Sequence, residues 1–203
     1  MTKEELFNYL KDNDIIKTPS IIEAFRIIDR MDFVAKEYLD EPYGDYPLPI
    51  GHGVTISQPS TVALMLELLQ PRGGDKVLDV GSGSGWTTAL LAHIVGPEGE
   101  VIGVELIPEL VLYGIENLKK YNFANAKIIQ AQKEVFGFPD KAPFDKILVS
   151  AAAESLPQTL VGQLKIGGRM VIPIESSVWR IDKKSEKEID KKEFRGFAFV
   201  PLK

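Results

Sequence analysis

The sequence predicts an α/β protein in which a parallel β-sheet is covered by helices on both faces. Three observations carry that expectation. Short apolar runs alternate with helical segments from residue 76 onward, the pattern of successive βαβ units. A glycine-rich turn follows the first of these runs and opens a helix, the context in which such a turn is informative. The chain has 203 residues, 44% apolar and 26% charged, which suits a single domain of ~100 to 200 residues.

Two amphipathic helices open the chain. Residues 3–13 carry Leu6, Tyr9 and Leu10 at helical spacing. Residues 19–31 carry Ile21, Ile22, Phe25 and Ile28, and Thr18-Pro19 supplies a cap followed by a first-turn proline. Between Tyr38 and Thr55 proline, glycine, aspartate and tyrosine dominate, which predicts an ordered aromatic loop in place of a helix or long strand. Pro59 then begins a helix running to about Leu69, and Gly73-Gly74 breaks the chain. Residues 76–80, 100–105, 127–131 and 145–150 are apolar runs suited to buried strands, with helices at about 85–95, 108–121 and 155–165. Past Gly167-Gly168, residues 169–174 predict a fifth strand, and the alternating aromatics of 194–202 a further one. Residues 182–193 mix both charge signs with almost no apolar side chain and predict a solvated hairpin or short exposed strands. No internal repeat is visible.

Composition removes several chemistries. Lys and Arg number 24 against 29 Asp and Glu, a net charge of -5, so neither nucleic acid nor an anionic membrane is expected as a partner. The chain has no cysteine, which excludes disulfides, thiolate nucleophiles and thiolate metal sites and agrees with an expected cytoplasmic location. No apolar signal core lies behind Lys3, and no apolar run approaches the ~18 residues of a membrane span. His52 and His93 are far apart in sequence, so no metal site is expected.

The turn itself reads Val77-Leu-Asp79-Val-Gly81-Ser82-Gly83-Ser-Gly85-Trp86. Glycines there let the backbone turn sharply and come close to a ligand at a helix amino terminus. A dinucleotide fingerprint would need a glycine at position 86, where tryptophan stands, so a pyrophosphate site is disfavoured. Glu105 ends the second strand of the series, and a carboxylate at that place can accept hydrogen bonds from ribose hydroxyls. The same residues would also serve as a tight strand-to-helix turn and a plain strand end. Together the glycine turn and Glu105 resemble the S-adenosylmethionine site of the class I methyltransferases. That resemblance implies a doubly wound, mostly parallel seven-stranded, Rossmann-like sheet and S-adenosyl-L-methionine as cofactor, with S-adenosyl-L-homocysteine as product.

A longer series of residues narrows the resemblance. Pro47-Leu-Pro-Ile-Gly-His-Gly-Val-Thr55-Ile56-Ser57-Gln58-Pro59, residues 77–86, 137–145 and 163–169, Pro173 and the closing Phe199-Val-Pro-Leu202 are similar to the protein-L-isoaspartate (D-aspartate) O-methyltransferases. These are repair enzymes that methylate damaged aspartyl residues, and the similarity covers about residues 5 to 202. It implies a single methyltransferase domain over 1–203: N-terminal helices and an acceptor-site loop in 1–56, a cofactor-binding core in 57–174 and a C-terminal hairpin in 175–203. It also implies isoaspartyl proteins or peptides as partners and a monomer. Ser57 matches the side chain that holds the acceptor carboxylate, although its position before Gln58-Pro59 would equally suit a helix cap. On the cofactor side the resemblance marks Thr55, Ile56, Asp79, Gly81, Ser82, Gly83, Gly85 and Glu105. His52 is read as loop structure or pocket lining, His93 as packed or exposed, and Trp86 as packing.

One segment departs from the family. Where Gly-Asp-Gly is expected, the chain has Ala131-Gln132-Lys133-Glu134. Aligned from the strand, Gln132 takes the place of the aspartate that faces the adenine amino group; aligned backward from Gly137, Lys133 does. Gln132 is preferred because the strand fixes geometry better than the loop, and its amide oxygen can still accept a hydrogen bond. The loop around Gly44-Asp45-Tyr46 is also longer than expected. The leading expectation is methylation of the α-carboxylate of L-isoaspartyl residues, with D-aspartyl residues as a second acceptor. A carboxyl methyltransferase with another acceptor, or a non-catalytic cofactor-binding homologue, is the alternative.

Overall fold

The computed structural model describes residues 1–202. Two helices, α1 (Lys3–Asp12) and α2 (Pro19–Ile27), lead to a short hairpin of β1 (Leu48–Gly51) and β2 (Val54–Ile56), and then to α3 (Pro59–Leu69). The main series follows: β3 (Lys76–Val80), α4 (Trp86–Val95), β4 (Glu100–Glu105), α5 (Pro108–Lys119), β5 (Ala126–Gln130) and β6 (Phe144–Val149). The chain closes with α6 (Gln158–Gly162), β7 (Leu164–Ile174), β8 (Ser177–Lys183) and β9 (Ile189–Arg195). Strands β3 to β9 form a seven-stranded sheet of order β5-β4-β3-β6-β7-β8-β9. Its pairs are parallel from β5 to β7 and antiparallel at β7–β8 and β8–β9.

Side-chain alternation gives the sheet two buried faces. Val77, Val101, Leu148 and Val171 join the core beneath α1 to α5, whereas Leu78, Ile102, Ile147 and Met170 face a second cluster that includes Leu160 and Val161 of α6. The sheet is thus covered on both faces, one of them by α3, α4 and α5 with α2 packed on α3 and α4 and α1 on α2, and the other by one short helix and loops. Every residue of α4 except His93 is buried, as expected of a helix that is apolar all round and lies between a sheet and other helices. The strand order reverses at β3, whose neighbours are β4 and β6. Such a switch point opens a crevice beyond the carboxyl ends of the strands.

Four expectations about elements need correction. The second helix stops at Ile27 instead of residue 31, because Asp29 accepts a hydrogen bond from Met31 N at 3.0 Å and starts a separate turn of 3-10 helix, Arg30–Phe33. The helix expected at 155–165 is cut to Gln158–Gly162. Gln163 O accepts from Phe144 N at 2.8 Å, and Leu164 already pairs with Phe144. Residues 194–202 are not a strand of their own: β9 ends at Arg195, Gly196 turns at a φ of +95°, and the following segment makes only an isolated bridge at Pro201. The aromatic alternation there reflects Phe197 and Phe199 packing on the helical core. Finally, the charged stretch is a hairpin, but its first strand begins earlier, at Ser177, with Val178 and Ile181 buried against the sheet.

Candidate active site

A cleft lies at the carboxyl ends of β3, β4, β5 and β6. Its floor is the glycine-rich turn. Gly81, Gly83 and Gly85 have φ of +76°, +50° and +87°, a region that strains any residue with a Cβ. Gly81 N and Ser82 N both donate to Val104 O, at 2.9 and 3.1 Å, tying the turn to the end of β4. Gly83 N then donates to Glu105 Oε2 at 2.9 Å, while Glu105 Oε1 accepts from Ile107 N at 3.0 Å. Each oxygen of this buried carboxylate is therefore held by one backbone N–H and keeps acceptor capacity toward the cleft.

Gly81, Ser82, Gly83, Glu105, Gln132, Thr55, Ile56 and Ser57 all line the cleft. Residues drawn from two strand ends, a hairpin and a loop thus converge. Lys133 does not line it, whereas Gln132 does. Two residues named from the sequence stay outside. Asp79 faces α4, where its Oδ2 accepts from Thr87 Oγ1 at 2.7 Å and Thr88 Oγ1 at 2.6 Å. Complete burial pushes its pKa up to about 6 against the opposing threonine bonds, with the Glu105 charge adding to the rise. Gly85 packs behind the turn: a Cβ there would meet Gly114 O and Ile128 Cδ1, both at 3.1 Å.

Ser57 does not cap α3. The cap position belongs to Gln58, whose side chain makes no capping bond, and Asp45 Oδ1 instead accepts from Ser60 N at 2.9 Å. The histidines lie apart from the cleft lining, with His52 exposed at the tip of the β1–β2 hairpin and His93 on α4 beside a groove at the amino ends of β4 and β5. Trp86 packs edge-on to Phe25, with ring centroids 5.8 Å apart, and also lines the cleft.

Sequence reasoning missed several lining residues. Leu106, Ile107, Ser150 and Ala151 extend the carboxyl ends of β4 and β6, and the rule that ligands sit beyond those ends could have found them. Val135 and Phe136 follow Gln132 in the segment that departs from the family. Val200, Pro201 and Leu202 arrive from the far end of the chain, held by Ala152 N donating to Val200 O and Leu202 N to Ala152 O, both at 2.8 Å. Among the described lining residues Glu105 alone carries a formal charge, and no group of three or more metal-ligating side chains occurs among the described residues. A lone carboxylate with spare acceptor capacity, a backbone-lined turn and apolar walls suit a nucleoside that bears a positive sulfonium.

A parallel sheet that reverses at β3, with a glycine turn and an acid from the neighbouring strand meeting in one cleft, defines a class I S-adenosylmethionine-dependent methyltransferase. Comparison with known proteins agrees. Residues 1–203 match the family described as protein-L-isoaspartate(D-aspartate) O-methyltransferase. A protein-L-isoaspartate O-methyltransferase of Methanopyrus kandleri is 43% identical over 98% of this chain and 90% of its own, and protein-L-isoaspartate O-methyltransferase 2 of Archaeoglobus fulgidus is 46% identical over 90% and 84%. A crystal structure from Plasmodium falciparum, described as a protein-L-isoaspartate O-methyltransferase in complex with S-adenosyl-L-homocysteine, superposes with a TM-score of 0.88 at 32% identity, covering 100% of this chain and 99% of that one. The chain belongs to the protein-L-isoaspartate(D-aspartate) O-methyltransferase family.

Proposed function

We propose that this chain methylates the α-carboxylate of L-isoaspartyl residues, and of D-aspartyl ones, in damaged proteins and peptides. The observation that carries the reading is the convergence of Ser57 with the glycine turn and Glu105 in one cleft, in a chain whose whole length matches the family. When bound, S-adenosylmethionine supplies a methyl group on a positively charged sulfur. Glu105 accepts from the ribose hydroxyls with the lone pairs left over from Gly83 N and Ile107 N. Gln132 offers its amide oxygen to the adenine amino group, and Gly81, Ser82, Gly83, Thr55 and Ile56 line the cofactor through backbone. Asp79 and Gly85 serve the cofactor indirectly, Asp79 by fastening the turn's strand to α4 and Gly85 by letting α4 and α5 approach.

The acceptor needs no general base. A carboxyl group with a reference pKa below ~4 is already ionised near neutrality, and the cleft lining provides none of the chain's histidines to remove a proton. What the protein must do is orient the carboxylate, replace the water it loses and keep solvent out. Ser57 donates its hydroxyl to one carboxylate oxygen, and Ile50, Val54 and Leu202 supply apolar cover. The other carboxylate oxygen is thereby left to attack.

The same reading takes the protein as a cytoplasmic monomer acting on polypeptide and not on nucleic acid. A net charge of -5 disfavours a nucleic-acid partner, and no helix among the described residues is long and apolar enough to cross a membrane. The test is incubation with methyl-labelled S-adenosylmethionine and two peptides that differ only in Asp versus isoAsp. Base-labile label confined to the isoAsp peptide is the expected result. Label on neither peptide, with cofactor binding intact by calorimetry, would overturn the acceptor and point to another carboxylate or to a cofactor-binding protein without turnover.

A further inference from the structure

Ser57 is held by groups that the chemistry above does not use. Arg30 is 2% exposed, and among the described residues no carboxylate pairs with it directly. Its Nη1 donates to Pro42 O at 2.5 Å and Gly44 O at 3.2 Å, and its Nη2 to Tyr46 O at 3.0 Å and Ser57 O at 3.2 Å. The guanidinium carbon also lies 5.5 Å from the centroid of Trp86, within the range of a cation–π contact. Burying a cation among neutral carbonyls is a costly way to close a loop, since a well-packed apolar side chain would generally do as well. What a guanidinium adds is a rigid planar fan of donors that reaches several carbonyls at once.

The opposite charge sits in the loop whose carbonyls Arg30 holds. Asp45 accepts from Ser60 N at 2.9 Å through Oδ1 and from Gln58 Nε2 at 3.1 Å through Oδ2. Residues 57–60 are therefore tied to the loop around Gly44-Asp45-Tyr46 twice, at the Ser57 carbonyl by Arg30, which bridges it to the carbonyls of Gly44 and Tyr46, and at two N–H groups by Asp45 of the loop itself. We propose that Arg30 and Asp45 are positioning residues that clamp the turn at 57–60 and so fix the direction in which Ser57 presents its hydroxyl to the acceptor. Neither side chain lines the cleft, so both act through the turn. The inference rests on Ser57 being the acceptor-side residue.

Arg30→Lys and Asp45→Ala test the clamp in the full chain. Lysine keeps the charge but cannot reach four carbonyls in a plane, and alanine removes both acceptors. Three quantities are read: kcat and KM for an isoAsp peptide, the calorimetric Kd of S-adenosylhomocysteine, and amide hydrogen exchange of residues 57–62. The clamp requires kcat to fall at least fivefold, Kd to stay within twofold, and exchange at 57–62 to accelerate while β3 and α4 stay unchanged. Unaltered exchange at 57–62, an unchanged kcat despite a loosened turn, or a Kd that weakens as much as kcat falls would each overturn it. If Arg30→Lys does not fold, Asp45→Ala, which keeps the buried cation, decides alone. Should the wild-type protein itself ignore the isoAsp peptide, the acceptor reading fails, and the exchange measurement still shows whether the clamp exists.

Discussion

Three carboxylate or hydroxyl residues named from the sequence stand in three different surroundings, and the predictions for each follow from what it touches. Glu105 spends one lone pair per oxygen on backbone N–H groups and leaves the rest free toward the cleft, and on the proposed reading Glu105→Ala should weaken S-adenosylhomocysteine binding at least tenfold, about 1.4 kcal/mol, measured by calorimetry on folded protein. Ser57→Ala should leave that affinity within twofold and lower kcat on an isoAsp peptide about tenfold, the size of one charge-assisted hydrogen bond. Asp79 is different because it faces α4. Its folded pKa of about 6 lies above the ordinary carboxylate value, so its protonated form is favoured by folding. The associated stability is present below about pH 4 and is lost as pH rises toward 6. Asp79→Asn should remove that dependence: between pH 4 and pH 7 the wild type should lose stability relative to the variant by about 2–3 kcal/mol, read from urea unfolding at each pH. A parallel pair of curves would show that Asp79 is ionised throughout. The type and strand position of Glu105 and Asp79 were visible in the sequence. Which of them faces the cleft was not, because that depends on a tertiary turn, and the alternation rule alone does not say what covers each face.

At the level of elements, the strands of the βαβ series were legible because buried parallel strands are short, apolar and regularly spaced. The errors fall where a side chain outcompetes local propensity. Asp29 ends α2 early by bonding Met31 N, and Gln163 is drawn out of the helix that periodicity would extend: its Oε1 accepts from Phe138 N at 2.8 Å and its Nε2 donates to Phe136 O at 2.8 Å. Both partners lie far off in sequence or outside the window that periodicity reads. The glycine turn illustrates the reverse case, a local signal with a tertiary cause. The resemblance marks Gly85 on the cofactor side, yet its Cβ position is closed by α5 and β5, and its φ is +87°. Gly85→Ala should therefore destabilise the fold by about 2–4 kcal/mol through backbone strain and overpacking together, seen as a lower urea midpoint. An effect on cofactor affinity with no loss of stability would return Gly85 to the ligand side.

For the whole molecule, the cleft is assembled from segments near both ends of the chain: the β1–β2 hairpin, and residues 200–202 held at Ala152. Deletion of residues 197–203 leaves β9 and its register with β8 untouched, so the sheet should survive with the near-native circular dichroism of the full chain. Methylation of an isoAsp peptide should nevertheless fall more than tenfold in kcat/KM, because one wall of the cleft is gone. Full activity in the truncated protein would show that this segment only packs against the sheet. By itself the sequence determined the α/β class, the order of elements, the glycine turn with its strand-end acid, and a family resemblance running almost end to end. All of these are written in spacing and residue type along a continuous stretch of chain. Only the tertiary structure decided that Asp79 and Gly85 stand behind the cleft, that Asp45 and not Ser57 caps α3, and that the last described residues line it. Each of those outcomes is set by contacts between segments tens of residues apart, where direction and burial are fixed by packing and not by local pattern.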